Sequence, residues 1–373
     1  MVTGETLLPP NSGGRSRALN LVRQLARAFE VEVVALGSPE AGNRESFPIE
    51  HLPHSVSRAR ALATSLRRPY LAALLTSPAM AEFVSRRGWS TVQAETPWMV
   101  SSAAKAGAPL VLDAYDVQTE ILRTLVRTES RRVHRARWAW EARKTERYER
   151  MAVTAVDAVS AASDADAATF ERWGARRCLV VPNGVDAAAV THQLPLSDPR
   201  LIYVGYFGYR PNAEAALELM REILPRVRAE IPAASLSLIG RGSERLGVTE
   251  QPGVEVLGEV DHVVQHLQGA GVLVLPLRAG SGTRLKVVEA MAAGLPVVST
   301  RFGVAGLEVR DGEHVLIGES PAELAAQTVR VLQQRELAHF LSRAGRSLVE
   351  QRYDWSIVAR PLVELHERLG ARP

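Results

Sequence analysis

Short apolar runs recur along the chain, separated by longer stretches in which apolar residues fall every third or fourth position. LNLVRQLARAF (19–29) predicts an amphipathic helix, VEVVALG (31–37) a buried strand, and APLVLDAYD (108–116) a strand that ends in acidic residues. The later part repeats the alternation more clearly: LIYVGYF (201–207), the helical NAEAALELMREIL (212–224), SLSLIG (235–240), VEVLG (254–258), VLVLPL (272–277), a helix after Gly282, and PVVST (296–300). Strands alternating with helices predict parallel β/α units, hence an α/β protein. HQLPLSDPR (192–200), with two prolines and few apolar residues, reads as the connection between two Rossmann-like domains. At the start, either MVTGETLL serves as the first strand or the natural start lies upstream.

In open parallel sheets ligands bind beyond the carboxyl ends of the strands, so two such sheets facing each other would form a binding cleft. GSGTRLKVVEAMAAGLPVVST (280–300) is the segment with most chemistry. A glycine-rich loop opening a helix leaves backbone N–H groups and the positive end of the helix dipole directed at one point. Arg284 and Lys286 add fixed positive charge there, so the expected ligand is phosphate. The plainer reading is a solvated helix start in which Glu289 pairs with Lys286 at i, i+3, worth about 0.2–0.5 kcal/mol.

Composition narrows the class. At 373 residues the chain has room for two or three domains, and its 46% hydrophobic and 23% charged content is that of an ordinary globular protein. No apolar run approaches the ~20 residues of a membrane span, and the amino terminus does not read as a secretory signal. The single cysteine, Cys178, cannot form an internal disulfide, which fits a cytoplasmic setting. The net charge of +4 is modest, and no zinc spacing, basic zipper or RNA-binding aromatic strand accompanies it, so nucleic acid is not an expected partner.

Taken together, PPNSGGRSRALNLVRQLA (9–26), PNGVD (182–186), VGYFGYRPNAEAA (204–216) and GSGTRLKVVEAMAAGLPVVSTRFGVAGLEV (280–309) resemble the retaining, nucleotide-sugar-dependent glycosyltransferases of the GT-B fold, glycosyltransferase family 4. The resemblance spans essentially the whole chain. It implies an acceptor-side domain at 1–193, a linker at 194–200, a nucleotide-sugar-binding domain at 201–355, and a helix at 356–373 that returns to the first domain. By the same resemblance, Arg284 and Lys286 clamp the diphosphate and assist departure of the leaving group. Glu289 accepts hydrogen bonds from the ribose hydroxyls, and Gly282, Thr283 and Leu285 complete the donor site. Gly13 and Gly14 belong to a loop whose backbone approaches the phosphates, although a plain turn before a helix is the other reading.

The sequence departs from the family pattern at three places. Eight residues before Glu289, where many members carry a second glutamate, stands Ser281. After the first strand of the second domain, where Arg and Lys are common, the chain reads VGYFGYRPN, so Arg210 need not be equivalent. At DAYD (113–116), Tyr115 and Asp116 replace a His–Asp pair. A tyrosine, with a reference pKa of about 10, is a poor base at neutral pH. Asp116 is therefore the catalytic candidate for orienting the acceptor or stabilising positive charge on the sugar; capping of the next helix by Asp113 and Asp116 is the alternative.

The resemblance implies a nucleotide diphosphate sugar as co-substrate, an acceptor hydroxyl, no cofactor and no required metal. DAD (164–166) imitates a metal motif but follows Ser163 and reads as a helix start. His262 and His266 lack an evident third ligand. The arginine-rich stretch 123–150, with Trp138 and Trp140, reads either as a solvated helix or as a peripheral contact with an anionic membrane. A nucleotide-sugar epimerase or hydrolase on the same fold, and a nucleotide-sugar binder without catalysis, are the rival functions.

Overall fold

The computed structural model describes residues 1–8, 12–38, 45–53, 58–195, 198–247, 251–279 and 284–370. Its chain divides into two compact units, Met1–Pro182 with Val358–Pro373, and Asn183–Ile357.

The first unit is built on seven strands: β1 (Val2–Thr3), β2 (Val33–Leu36), β3 (Ile49–Leu52), β4 (Val92–Glu95), β5 (Leu110–Ala114), β6 (Ala158–Ala161) and β7 (Cys178–Val180). Their order is β3-β2-β1-β4-β5-β6-β7, and every ladder is parallel. MVTGETLL does supply the first strand: Val2 pairs with Val34 on one side and Ala94 on the other. Strands β2, β4, β5 and β6 are buried at every position. That is what covering both faces of a parallel sheet requires, although Gln93, Glu95, Asp113 and Ser160 interrupt the apolar runs of β4, β5 and β6.

The second unit carries β8 (Arg200–Val204), β9 (Ser235–Ile239), β10 (Val254–Gly258), β11 (Val272–Leu275), β12 (Val297–Ser299) and β13 (Leu316–Ile317), ordered β10-β9-β8-β11-β12-β13 and again parallel throughout. Each sheet thus grows outward from its first strand in one direction and then reverses. The reversal lies between β1 and β4 in the first unit and between β8 and β11 in the second. These are the topological switch points, where helices leave on opposite faces and open a crevice at the strand ends.

The division at Pro182 places residues 183–193 with the second unit, whereas the sequence reading ended the first domain at 193. Val185, Ala187 and Val190 join the second unit's apolar core. Arg346 fastens this segment by donating Nη2 to Ala187 O at 2.7 Å, and Nη1 to Val190 O at 2.8 Å and Ala292 O at 2.7 Å. At the other end, the helix Arg360–Arg368 belongs to the first unit, where His366 hydrogen-bonds through Nε2 to Gln93 Oε1 at 3.1 Å and through Nδ1 to Thr91 Oγ1 at 2.9 Å.

The arginine-rich stretch is two helices, Gln118–Thr128 and Arg132–Thr154. The break falls at Glu129, which adopts an extended backbone and accepts the Arg131 N–H at 2.9 Å on its own carboxylate. Such local side-chain capping competes with helix continuation.

Candidate functional site

In the second unit the site forms around the helix Leu285–Ala293. Val287, Val288, Ala290, Met291, Ala292 and Ala293 are buried, so the helix is enclosed on most of its circumference. Only Leu285, Lys286 and Glu289 are half-buried. Lys286 and Glu289 stand three residues apart and therefore share a face. A helix this apolar that keeps one cation and one carboxylate on its accessible face is not a solvated surface helix. No side chain caps its N-terminus and its first turn has no acid, so the positive end of its dipole is uncompensated by its own residues.

Lys286 lies at the switch point. Its ammonium donates to Asn212 Oδ1 at 3.2 Å and stands 4.7 Å from the centre of the Tyr203 ring. The Tyr203 hydroxyl donates to the same Asn212 oxygen at 3.1 Å, and Asn212 Nδ2 donates to Tyr206 O at 2.9 Å. Asn212 thus ties the loop after β8 to the helix after β11. Gly205 keeps this contact close: a Cβ at this position would stand 3.1 Å from both Asn212 Cγ and Lys286 Nζ, and those side chains would have to give way. Gly240, at φ +127°, is required, since a Cβ would come within 2.0 Å of Gly205 O. The loops after β8 and β9 are further joined by Phe207 N–H donating to Arg241 O at 2.9 Å.

Arg284, 8% exposed, has its guanidinium carbon 4.9 Å from the centre of the Phe302 ring, with Nη2 3.5 Å from Phe302 O. The Phe302 turn is itself fixed, because Thr300 Oγ1 accepts the Gly303 N–H at 2.9 Å and donates to Leu277 O. Burial, together with the neighbouring Arg284 charge, lowers the Lys286 ammonium to about 7, partly opposed by Glu289. Burial raises the Glu289 carboxyl to about 7, opposed by Lys286. Both groups therefore sit near the neutral point without a ligand, and an anion beside Lys286 would restore its full charge.

The site residues expected from sequence separate by unit. Arg284, Leu285, Lys286 and Glu289 come together in the second; Gly282 and Thr283, like Ser281, lie outside the described residues. Arg210 instead pairs with Glu214 at 2.7 Å on an exposed helix start. Asn212, Tyr203 and Gly205 were not singled out from the sequence. Their only signal was the polar Asn212 at a helix start, shortly after a glycine-containing strand end.

In the first unit, Ser12 caps the helix Gly13–Leu25 by accepting the Arg15 N–H at 3.3 Å. A Cβ on Gly14 would come within 2.7 Å of the Tyr115 hydroxyl, whereas Gly13 faces open space. Burial, then the nearby Asp116 charge, pushes the Tyr115 phenol well above its usual range, so it stays protonated. Asp113 is buried against Arg17, which donates Nε to Oδ2 and Nη2 to Oδ1, both at 2.8 Å. Asp113 is therefore a structural counter-ion and does not cap the following helix. Glu149 fills that role from the helix Arg132–Thr154, accepting from Gln118 N at 2.8 Å, Thr119 N at 3.0 Å and Thr119 Oγ1 at 2.5 Å. Asp116 remains half-buried in the loop after β5. The DAD segment is a helix start, with Ser163 accepting the Asp166 N–H at 3.2 Å.

Two family models match the chain, one to each unit in the main, although the first runs seven residues past Pro182. Residues 11–189 match the model described as Glycosyltransferase Family 4, and residues 198–334 match Glycosyl transferases group 1. The two models together span most of the chain, which belongs to this group of GT-B-fold glycosyltransferases. Among curated relatives, a phosphatidyl-myo-inositol mannosyltransferase of Mycobacterium leprae is 30% identical over 51% of this chain and 53% of its own. The chain thus spans about half the length of the curated relatives it matches. Anabaena HepE, solved with UDP and glucose, superposes with a TM-score of 0.68 at 16% identity, covering 98% of both chains. WaaG, a glycosyltransferase involved in lipopolysaccharide biosynthesis, gives 0.66 at 17% identity over 98% of both. At these identities the structural likeness establishes the fold.

Proposed function

We propose that this protein transfers a sugar from a nucleotide diphosphate sugar to an acceptor hydroxyl with retention of configuration and without a required metal. One observation carries the reading: the helix at the second unit's switch point is buried except for a face bearing Lys286 and Glu289, with Arg284 at its open N-terminus. Cations and an uncompensated helix dipole suit a diphosphate, and a carboxylate one turn along suits a vicinal diol. In solved members of the fold UDP and glucose are bound, which supports this donor class. As the sugar–phosphate bond breaks, charge gathers on the diphosphate, and Lys286 and Arg284 would stabilise it. Asp116 is our candidate on the acceptor side.

Calorimetric titration with UDP-glucose, GDP-mannose, ADP-glucose and dTDP-glucose, repeated with EDTA, tests this reading. One nucleotide class should bind, unaffected by EDTA. Run in buffers of different ionisation enthalpy, the same titration should show proton linkage. At pH 8.5 Lys286 is largely neutral and Glu289 already ionised, so binding should take up a proton, approaching about one per site. At pH 6 Lys286 is already charged, so uptake should vanish and reverse as Glu289 ionises. Uptake at pH 8.5 that persists unchanged in Lys286→Ala would remove Lys286 from the site. Consumption of the bound donor without any acceptor would point instead to a hydrolase or epimerase.

A peripheral membrane contact belongs to the same proposal. No helix among the described residues is long and apolar enough to cross a membrane. The helix Arg132–Thr154, however, exposes Val133 at 79% and Trp140 at 56% alongside Arg132, Arg135 and Arg137. Val133, Arg137 and Trp140 fall on one side of the helix, with Arg132 and Arg135 elsewhere on the same exposed end, and an apolar side edged by arginines suits an anionic interface. Flotation should be seen with vesicles containing phosphatidylglycerol, be weak with phosphatidylcholine alone, and fall in the triple Glu variant of those arginines. Equal flotation on both vesicle types would contradict it.

A further inference from the structure

The first unit holds a cavity of about 300 Å³ at its own switch point, lined among others by Glu5, Leu71, Leu75, Glu95, Trp98 and Tyr115. Glu95, at the end of β4, is 2% exposed. Its Oε1 accepts from Gln93 Nε2 at 2.7 Å, while its Oε2 is buried without a hydrogen-bond partner. A buried carboxyl oxygen without a protein partner favours any polar group that reaches it, and here it borders a cavity. The next residue, Thr96, has φ +75° and is the only described non-glycine residue with a positive φ. Backbone strain of this kind persists where the surroundings over-determine it, and it clusters at ligand sites.

The chemistry of the lining restricts what can enter. Leu71, Leu75 and Trp98 make an apolar wall, and Leu71 stays 41% exposed. The preceding segment exposes Leu62 and Leu66 as well, at 59% and 75%. Glu5 is paired with Arg15 at 2.9 Å, and the Arg17–Asp113 pair lies buried near Glu95, so among the described residues each of these cations already has its carboxylate. Desolvation, followed by the charge of Asp113, raises the Glu95 carboxyl well above the usual carboxylate range, which favours its protonated form as an O–H donor. A hydroxyl can both accept from and donate to such a group.

We propose that this cavity binds an uncharged amphiphilic alcohol, the acceptor class of the transferase, with a hydroxyl on Glu95 Oε2 and an apolar body against Leu71, Leu75 and Trp98. This assignment rests on the glycosyl-transfer reading and names its acceptor chemistry. Glu95 becomes a specificity-determining residue of the acceptor, distinct from the donor clamp.

The test uses the full-length protein and saturation-transfer NMR with octyl β-D-glucoside, glucose, octyl phosphate and octyltrimethylammonium, each kept below micelle formation. Octyl β-D-glucoside should bind the wild type at least tenfold more tightly than the other three. Glu95→Ala should weaken it at least tenfold, and Glu95→Gln, which keeps a donor and an acceptor, by less than threefold. Leu71→Asp, at an exposed position and so safe for folding, should weaken it about fivefold. UDP affinity should stay within twofold in every variant. Absent binding of octyl β-D-glucoside to the wild type, equal binding by Glu95→Ala, or a preference for either charged probe would overturn the proposal. Normal probe binding in a protein that binds no nucleotide would instead defeat the glycosyl-transfer reading while leaving the cavity's ligand class intact.

Discussion

Lys286→Ala should bind the donor nucleotide about 10- to 100-fold more weakly than the wild type and turn over at least about 100-fold more slowly. A charge-assisted hydrogen bond is worth about 1.5–3 kcal/mol, and one preorganised donor to a charge that grows in the transition state about 10²–10³ in rate. The side chain is already held in place: its ammonium donates to Asn212 Oδ1 at 3.2 Å, the Tyr203 ring stands 4.7 Å away, and burial lowers its pKa to about 7. Binding a diphosphate restores the full charge, so the gain is concentrated on the ligand. Lys286→Arg should restore the activity only in part, because a planar guanidinium does not reproduce the point charge that Lys286 places 3.2 Å from Asn212 Oδ1 and over the Tyr203 ring. Arg284→Ala should lose turnover comparably. Calorimetry and steady-state kinetics check both, and near-normal values in Lys286→Ala would remove the donor site from this helix.

The second large effect concerns stability. Asp113→Ala should lower stability by about 3–5 kcal/mol, because it strands the Arg17 guanidinium, which is 1% exposed, without its counter-ion. At the roughly 2–4 °C per kcal/mol expected for a domain of this size, the melting temperature should fall by about 10–15 °C. Arg17 spans the sheet from the helix Gly13–Leu25, donating also to Val181 O at 2.8 Å, so the loss would loosen the floor beneath Gly14 and Tyr115. The double variant Arg17→Met/Asp113→Leu should recover much of the loss, since exchanging a buried pair for apolar groups is frequently near neutral. Differential scanning calorimetry decides the matter. A shift of under about 3 °C in Asp113→Ala would show that the pair contributes little.

Much of the fold was legible because parallel strands buried on both faces read as short apolar runs: VLVLPL (272–277) contains β11 and PVVST (296–300) contains β12, both buried at every position. The donor side was legible for a related reason. Lys286 and Glu289, just after Arg284, interrupt a helix otherwise made of Leu, Val, Ala and Met, and charge within such a stretch has to be accounted for. The groups that orient those residues were hidden. Asn212 and Tyr203 lie more than 70 residues upstream of Lys286, and only the adjacency of β8 and β11 brings them to it. Asp113 and Asp116 looked interchangeable in DAYD. The strand register buries Asp113 on Arg17 and leaves Asp116 in the loop, a distinction that depends on which residue ends β5. Glu95 and Glu149 each sit in ordinary polar contexts, and nothing local in the sequence reveals that the fold buries them.

A crystal structure of the protein with UDP-glucose, or with whichever conjugate the titration selects, tests the central claim most directly. The account predicts the diphosphate within hydrogen-bonding distance of Lys286 Nζ and the Arg284 guanidinium, with the ribose hydroxyls on Glu289. A nucleotide bound elsewhere, with Lys286 still donating only to Asn212, would contradict it.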